Sequence, residues 1–205
     1  MKTTVECYPC FFKQAIRTTR MLKVDPLVQK EVLNTLCTML PGFDPEKSPP
    51  EMGEILYNMI AEKTGIPDPF KMAKEKSNRL ALDLMPHLRE KINKAEDKLF
   101  AAVKLAIFGN IIDYGAVSEE TVQAEVNNFL NGDHRETFNT DLDFEGFKQF
   151  LASSKTILYL GDNAGEIVFD RILVEELVTM GKDVIFSVRG KPAINDALMH
   201  DAEMT

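Results

Sequence analysis

Positive charge is the first thing this sequence is short of. Its 24 Lys and Arg stand against 32 Asp and Glu, giving a formal net charge of −8 and a pI near 5.0. A broad nucleic-acid footprint needs a basic face, so that class of partner is excluded. Long apolar runs are missing too: no stretch approaches the ~20 residues that span a bilayer, so no membrane partner is expected. The opening MKTTVECYPC has no apolar signal-peptide core, which leaves the cytoplasm as the default compartment. Cysteine is scarce and odd in number, with Cys7, Cys10 and Cys37 only, which argues against a disulfide framework. Internal repeats and low-complexity tracts are also absent. What remains is ordinary for a globular protein: 44% apolar and 27% charged residues in a chain of 205. That length suffices for one large domain or two small ones with a real core.

Through residues 1–150 the texture is helical, without strand-like alternation. CFFKQAIRTTRML spaces Phe12, Ile16 and Leu22 at helical intervals, and PLVQKEVLNTLCTML continues the pattern until Pro41-Gly42. PPEMGEILYNMIAEKTG has prolines at its start and Gly65 at its end. DPFKMAKEKSNRLALDLM is a fourth helix, with Pro86 expected to bend or interrupt it. AEDKLFAAVKLAIFGNIIDYG is the most apolar and reads as a central, buried helix. SEETVQAEVNNFLNG opens on Ser118 and two acids, a good N-cap, and closes at Gly132. Residues 1–150 therefore read as an all-α bundle.

Near residue 150 the texture changes. KTILYLG and DVIFSVRG are strand-like, and GEIVFDRILVEELVTMG between them has helical spacing. The second strand's continuous apolar run suggests a sheet covered on both faces. Strand, helix and strand make a βαβ unit with a right-handed crossover, so residues 151–205 read as the beginning of a Rossmann-like, three-layer parallel α/β domain. PAINDALMHDA is expected to begin another helix. Two parallel strands are too few for a stable sheet. The chain thus reads as truncated at its C-terminus, part of a longer protein. The alternatives are a contribution to the sheet from residues 138–151, or pairing with another copy as a homo-oligomer.

In open parallel sheets ligands bind beyond the carboxyl ends of the strands. Asp162 and Asn163 directly follow the first strand. The loop after the second carries Arg189, Gly190 and Lys191, then Asn195 and Asp196. A βαβ unit brings both loops to one edge, so Asp162, Asn163 and Asp196 are expected to converge. Two carboxylates and an amide carbonyl are hard donors suited to Mn²⁺ or Mg²⁺, with Co²⁺ or Ni²⁺ as further candidates. Neither loop contains the histidine that zinc would favour. A cation also explains how the carboxylates tolerate one another. The amides at the start of the next helix, after Gly165, favour an anion, and Arg189 and Lys191 add positive charge. These parts point to phosphate chemistry. The plainer reading stays open beside it: Asp-Asn after a strand is common turn and cap chemistry, and NDAL suits a helix cap.

Three further groups carry weaker signals. In GNIIDYG, Gly109 interrupts an apolar helix at a cost of about 1 kcal/mol relative to Ala, which suggests a close approach to ligand or backbone. Asn110 and Asp113 lie one turn apart there, as substrate contacts or as a helix end's own cap. KEKSN at 74–78 reads as a solvated helix face, with Asn78 a candidate support for the site. Cys7 and Cys10 form a C-x-x-C that fits either buried helix-start cysteines or a second metal or redox site.

Taken in order, CYPCFFKQA, KEKSN, AIFGNIIDYG, LGDNAGEIVFD and VRGKPAINDA resemble the damage-control phosphatase family, from residue 7 to about 202. The N-terminal C-x-x-C resembles its compact microbial branch. The resemblance implies a helical N-terminal domain on an α/β domain and metal-dependent hydrolysis of phosphate esters. Sugar phosphates and damaged phosphometabolites are the implied substrates. It also implies metal ligands at Asp162, Asn163 and Asp196, with Glu166 and Asn110 near the substrate. Members of the family continue with more strands and a lysine-bearing loop. A water or Asp162 itself would attack phosphorus. The rival readings are a non-catalytic sugar-phosphate or nucleotide binding module and a sensor working through Cys7 and Cys10.

Overall fold

The computed structural model describes residues 2–111 and 143–205, with isolated positions 124 and 128. The helix read over 118–132, apart from those two positions, and Asp113 lie outside the described residues. The chain forms two compact units, Met1–Met72 with Pro192–Ile194 and Ala73–Lys191 with Asn195–Thr205. The change of texture near residue 150 marks where strands begin, whereas these units divide at 72.

In the first unit α1 (Tyr8–Met21), α2 (Pro26–Met39) and α3 (Pro49–Thr64) enclose a core of Phe11, Ala15, Val32, Leu36, Met52, Leu56 and Ile60. Their ends follow the expected chemistry. Asp25 caps α2 by accepting from Leu27 N at 2.8 Å, Glu51 accepts from Ser48 N at 2.8 Å, and Gly65 closes α3 with φ +69°. The buried face of α1 is Phe11, Ala15, Thr18 and Thr19, one position off the Phe12–Ile16 stripe that spacing suggests.

Helix α4 (Lys71–Lys94) runs unbroken through Pro86, so of the bend or interruption expected there the interruption does not occur. Its buried positions are Lys74, Ser77, Asn78, Ala81, Leu84, Met85, Leu88 and Ile92, one continuous helical stripe. The stripe corrects the reading of KEKSN as a solvated face: three of its polar residues share the side that becomes apolar one turn later. Packing along that whole side also supports the helix across the hydrogen bond that proline removes. α5 (Lys98–Ile111) is buried through Ala102, Val103, Leu105 and Phe108, and α6 (Phe144–Ser153) joins the same core through Leu151. Residues 144–151 are therefore helical and add no strand to the sheet.

Strands β1 (Thr156–Leu160) and β2 (Asp183–Ser187) pair in parallel, from Thr156 opposite Asp183 to Leu160 opposite Ser187. α7 (Glu166–Thr179) makes the crossover. Ile157, Tyr159 and Val184 face the core, while Leu158, Leu160 and Ile185 are exposed. Only one face is thus covered within the described residues, against the expectation drawn from β2; an apolar run cannot say what lies on it. The last helix, α8, spans only Met199–Met204 rather than starting at Pro192. The backbone of 195–197 is committed instead to the loop after β1. Among the described residues no helix is long and apolar enough to cross a membrane.

Candidate metal and phosphate site

Parallel pairing delivers the carboxyl ends of β1 and β2 to one edge, and backbone hydrogen bonds then stitch their loops together. Gly161 N donates to Ser187 O at 2.9 Å, Ala197 N to Asp162 O at 2.7 Å, and Ala164 N to Asn195 O at 2.9 Å. Asn163 and Asp196 face each other in an isolated antiparallel bridge. Arg189 N donates to Ala197 O at 3.0 Å, which holds the second loop against its own strand. Glycine permits the turn. A Cβ on Gly161 would lie 2.6 Å from Phe186 Cζ, and Gly165 takes φ +87° just before α7.

The side chains follow from this lattice. Arg189 Nε donates to Asp196 Oδ2 at 2.7 Å. Burial raises the Asp196 carboxyl above its ordinary range, the Arg189 hydrogen bond opposes it, and the charge of Asp162 raises it further. The two carboxylates are therefore close enough to repel. Asn163 donates from its backbone N at 3.3 Å and from Nδ2 at 3.4 Å to Glu166 Oε2, so its amide oxygen is the atom open to a cation. The buried Glu166 also accepts from Asn110 Nδ2 at 3.0 Å. Lys191 is exposed in the second loop.

Asp162, Asn163, Asp196, Arg189, Glu166 and Asn110 thus gather around the strand ends. Cys7 and Cys10 belong to the other unit, with Cys7 half-buried and Cys10 exposed. The expectation of two buried cysteines fails at Cys10, because the buried side of α1 passes through Phe11 and Ala15 instead. Gly109 makes its close approach to α7: a Cβ there would lie 2.9 Å from Phe169 Cδ2 and 3.5 Å from Glu166 Cγ.

The donors fit a hard divalent cation. Two mutually repelling carboxylates and a neutral amide oxygen supply charge and oxygen ligands, and a positive ion relieves the repulsion. Among the described residues no three His, Cys, Asp or Glu cluster to hold a metal by themselves. A cation at this edge would therefore depend on the amide of Asn163.

Sequence reasoning missed three groups behind this edge. Lys74 and Asp201 are buried, with Lys74 Nζ 3.9 Å from Asp201 Oδ2. Asp170, also buried, accepts from Tyr159 Oη at 2.6 Å. Their signal was positional: Lys74 lies on the α4 stripe, and Asp170 sits one turn beyond Glu166 on α7.

Burial pushes the Asp170 carboxyl up to about 7; the Tyr159 bond opposes this, and the charges of Glu166 and Asp162 add to it. Burial and the neighbouring Asp170 likewise keep the Tyr159 phenol protonated. Because the folded pKa of Asp170 exceeds its unfolded value near 3.8, the native state binds the extra proton between about pH 4 and 7. This group's contribution to stability therefore falls as pH rises through that window. Asp170→Asn is expected to flatten the stability profile there and to gain on the wild type toward pH 8, as urea unfolding at several pH values would measure. A wild-type-minus-variant difference independent of pH would contradict this.

The sequence matches the family model described as Damage-control phosphatase ARMT1-like domain over residues 3–205. An uncharacterized protein of Methanocaldococcus jannaschii is 31% identical, over 100% of this chain and 67% of its own length. A damage-control phosphatase of Archaeoglobus fulgidus is 28% identical, over 100% and 70%. A second, from Pyrococcus horikoshii, is 30% identical over 98% and 68%. The crystal structure of a DUF89 family protein from Pyrococcus horikoshii aligns with a TM-score of 0.83 at 28% identity, covering 100% of this chain and 70% of that one.

Proposed function

This chain belongs to the damage-control phosphatase ARMT1-like domain family, and from that premise we propose that it hydrolyses phosphate esters of small metabolites with the help of a divalent cation. Sugar phosphates and damaged phosphometabolites are the substrate class of this reading. Asp162, Asn163 and Asp196 would hold Mn²⁺ or Mg²⁺, with Co²⁺ or Ni²⁺ as alternatives. When bound, such a cation polarises a phosphoryl oxygen and lowers the pKa of water.

The observation that supports the reading is the backbone lattice between residues 162–164 and 195–197, which joins the loops bearing Asp162, Asn163 and Asp196 at one sheet edge. The chain's own residues do the rest. Glu166 fixes the Asn163 amide, and Asn110 steadies Glu166 from α5. Arg189 grips Asp196 through Nε and keeps further N–H donors suited to a phosphate. Lys191, exposed in the same loop as Arg189, is the further cation this reading would use for the phosphate.

The test is turnover of p-nitrophenyl phosphate by the purified chain, stripped with a chelator and then reconstituted. Activity is expected to vanish on chelation and to return with Mn²⁺. Hydrolysis indifferent to the chelator would overturn the metal reading. Saturable sugar-phosphate binding with no turnover under any metal would favour the non-catalytic binding module instead.

A further inference from the structure

Asn78 is fully buried in α4, remote in sequence from the strand ends, yet it contacts the first loop directly and is linked to the second through Asp201 of α8. Its Oδ1 accepts from Gly165 N at 2.7 Å, two residues beyond Asn163. Its Nδ2 donates to Asp201 Oδ1 at 2.8 Å, and Asp201 Oδ2 accepts from Leu198 N at 2.9 Å, two residues beyond Asp196. We infer that Asn78 is a positioning residue whose buried amide, acting through Gly165 N and Asp201, sets the spacing of the two loops that present Asp162, Asn163 and Asp196.

Only a side chain with one donor and one acceptor at this length satisfies both neighbours. Gly165 offers an N–H and needs an acceptor, whereas Asp201, whose other oxygen accepts from Leu198 N, takes a donor from Asn78. The same requirement fixes the amide's orientation, since a flipped Asn78 would point N–H at N–H and oxygen at carboxylate. Lys74, also buried, places its Nζ 3.9 Å from Asp201 Oδ2. Groups that orient metal ligands without touching the metal commonly matter nearly as much as the ligands. The significance for metal rests on the reading of the three ligands above; the link between the loops does not.

The reciprocal swap provides the test. Asn78→Asp puts a carboxylate against Asp201, and Asp201→Asn sets amide donor against amide donor. In the double variant Asn78→Asp/Asp201→Asn the donor and acceptor merely exchange sides, with the carboxylate count unchanged. Two readouts are taken on each folded protein: amide exchange at Gly165 and Leu198 without metal, and calorimetric titration with Mn²⁺ alone.

Each single variant should speed exchange at both amides by about tenfold or more and weaken Mn²⁺ binding by roughly ten- to a hundredfold. The double variant should recover both to within about threefold of the wild type, as expected for directly coupled residues. Asp201→Asn keeps an acceptor for Leu198 N and carries the test should Asn78→Asp not fold. Unchanged exchange in the singles, or a double variant no better than they are, would overturn the clamp. Loosened loops with undiminished Mn²⁺ affinity would overturn its role in positioning the ligands. A wild type that binds no Mn²⁺ would instead sink the metal reading, leaving the clamp to be judged on exchange alone.

Discussion

Replacing Asp162 with Asn is expected to lower Mn²⁺-dependent release of p-nitrophenolate by about a hundred- to a thousandfold, the loss of several kcal/mol of charge stabilisation in the transition state. The side chain is exposed, and its backbone carbonyl, not its carboxylate, accepts the bond from Ala197 N. The substitution should therefore leave the unfolding free energy within about 0.5 kcal/mol of the wild type, as for most surface changes. It also removes a negative charge that raises the Asp196 carboxyl, so any loss of activity cannot be blamed on a more strongly protonated Asp196. Asp183→Asn, an exposed carboxylate at the opposite end of the strand pair, serves as the control and should keep full activity. Equal turnover by the Asp162 variant and the control would reject the ligand assignment.

The largest stability effect should come from Phe169→Ala, at about 3–5 kcal/mol. Phe169 is wholly buried on the side of α7 that meets α5, in one cluster with Leu105, Phe108 and Ile172. Its ring lies against Gly109, so Gly109→Ala should itself cost about 1–3 kcal/mol by overpacking. The pair should not add. In the Phe169→Ala background the new methyl enters vacated space, so the double variant should be no less stable than Phe169→Ala alone. Urea denaturation of the four proteins closes this cycle, and strict additivity would show that Gly109 does not owe its identity to the Phe169 ring. Because Glu166 lies one turn before Asp170 and shares this contact with Gly109, loosening here should also raise the Mn²⁺ concentration needed for activity.

Several features were legible because they are local. Gly-Asp-Asn at the end of an apolar run marked the end of β1 and the turn into α7, since glycine and a polar pair stop a strand. The prolines at the start of α3 and Gly65 after it marked that helix's ends, because such signals act within a few residues. Other expectations failed where the deciding partner is distant. KEKSN reads as a polar surface, yet Lys74 and Asn78 are buried and meet Asp201, more than a hundred residues away. PAINDALMHDA reads as a helix, yet residues 195–197 spend their backbone bonds on the loop after β1. Pro86 reads as a bend or an interruption, yet the helix is not interrupted, packed as it is along the apolar stripe through Leu84, Leu88 and Ile92.

By itself, then, the sequence determined the type of most described segments, several of their ends, and which residue types stand at the carboxyl ends of the strands. These properties depend on neighbours a few positions away, and periodicity and capping record them directly. The βαβ reading brought the loops of Asn163 and Asp196 to one edge, but only the tertiary structure decided their pairing in a bridge, that Glu166 joins Asn110, and that Asn78 reaches Gly165 and Asp201. Such contacts form when apolar burial folds α4, α5 and α7 onto a parallel strand pair. A polar side chain's partner is then set by where packing leaves it, and no local pattern encodes that.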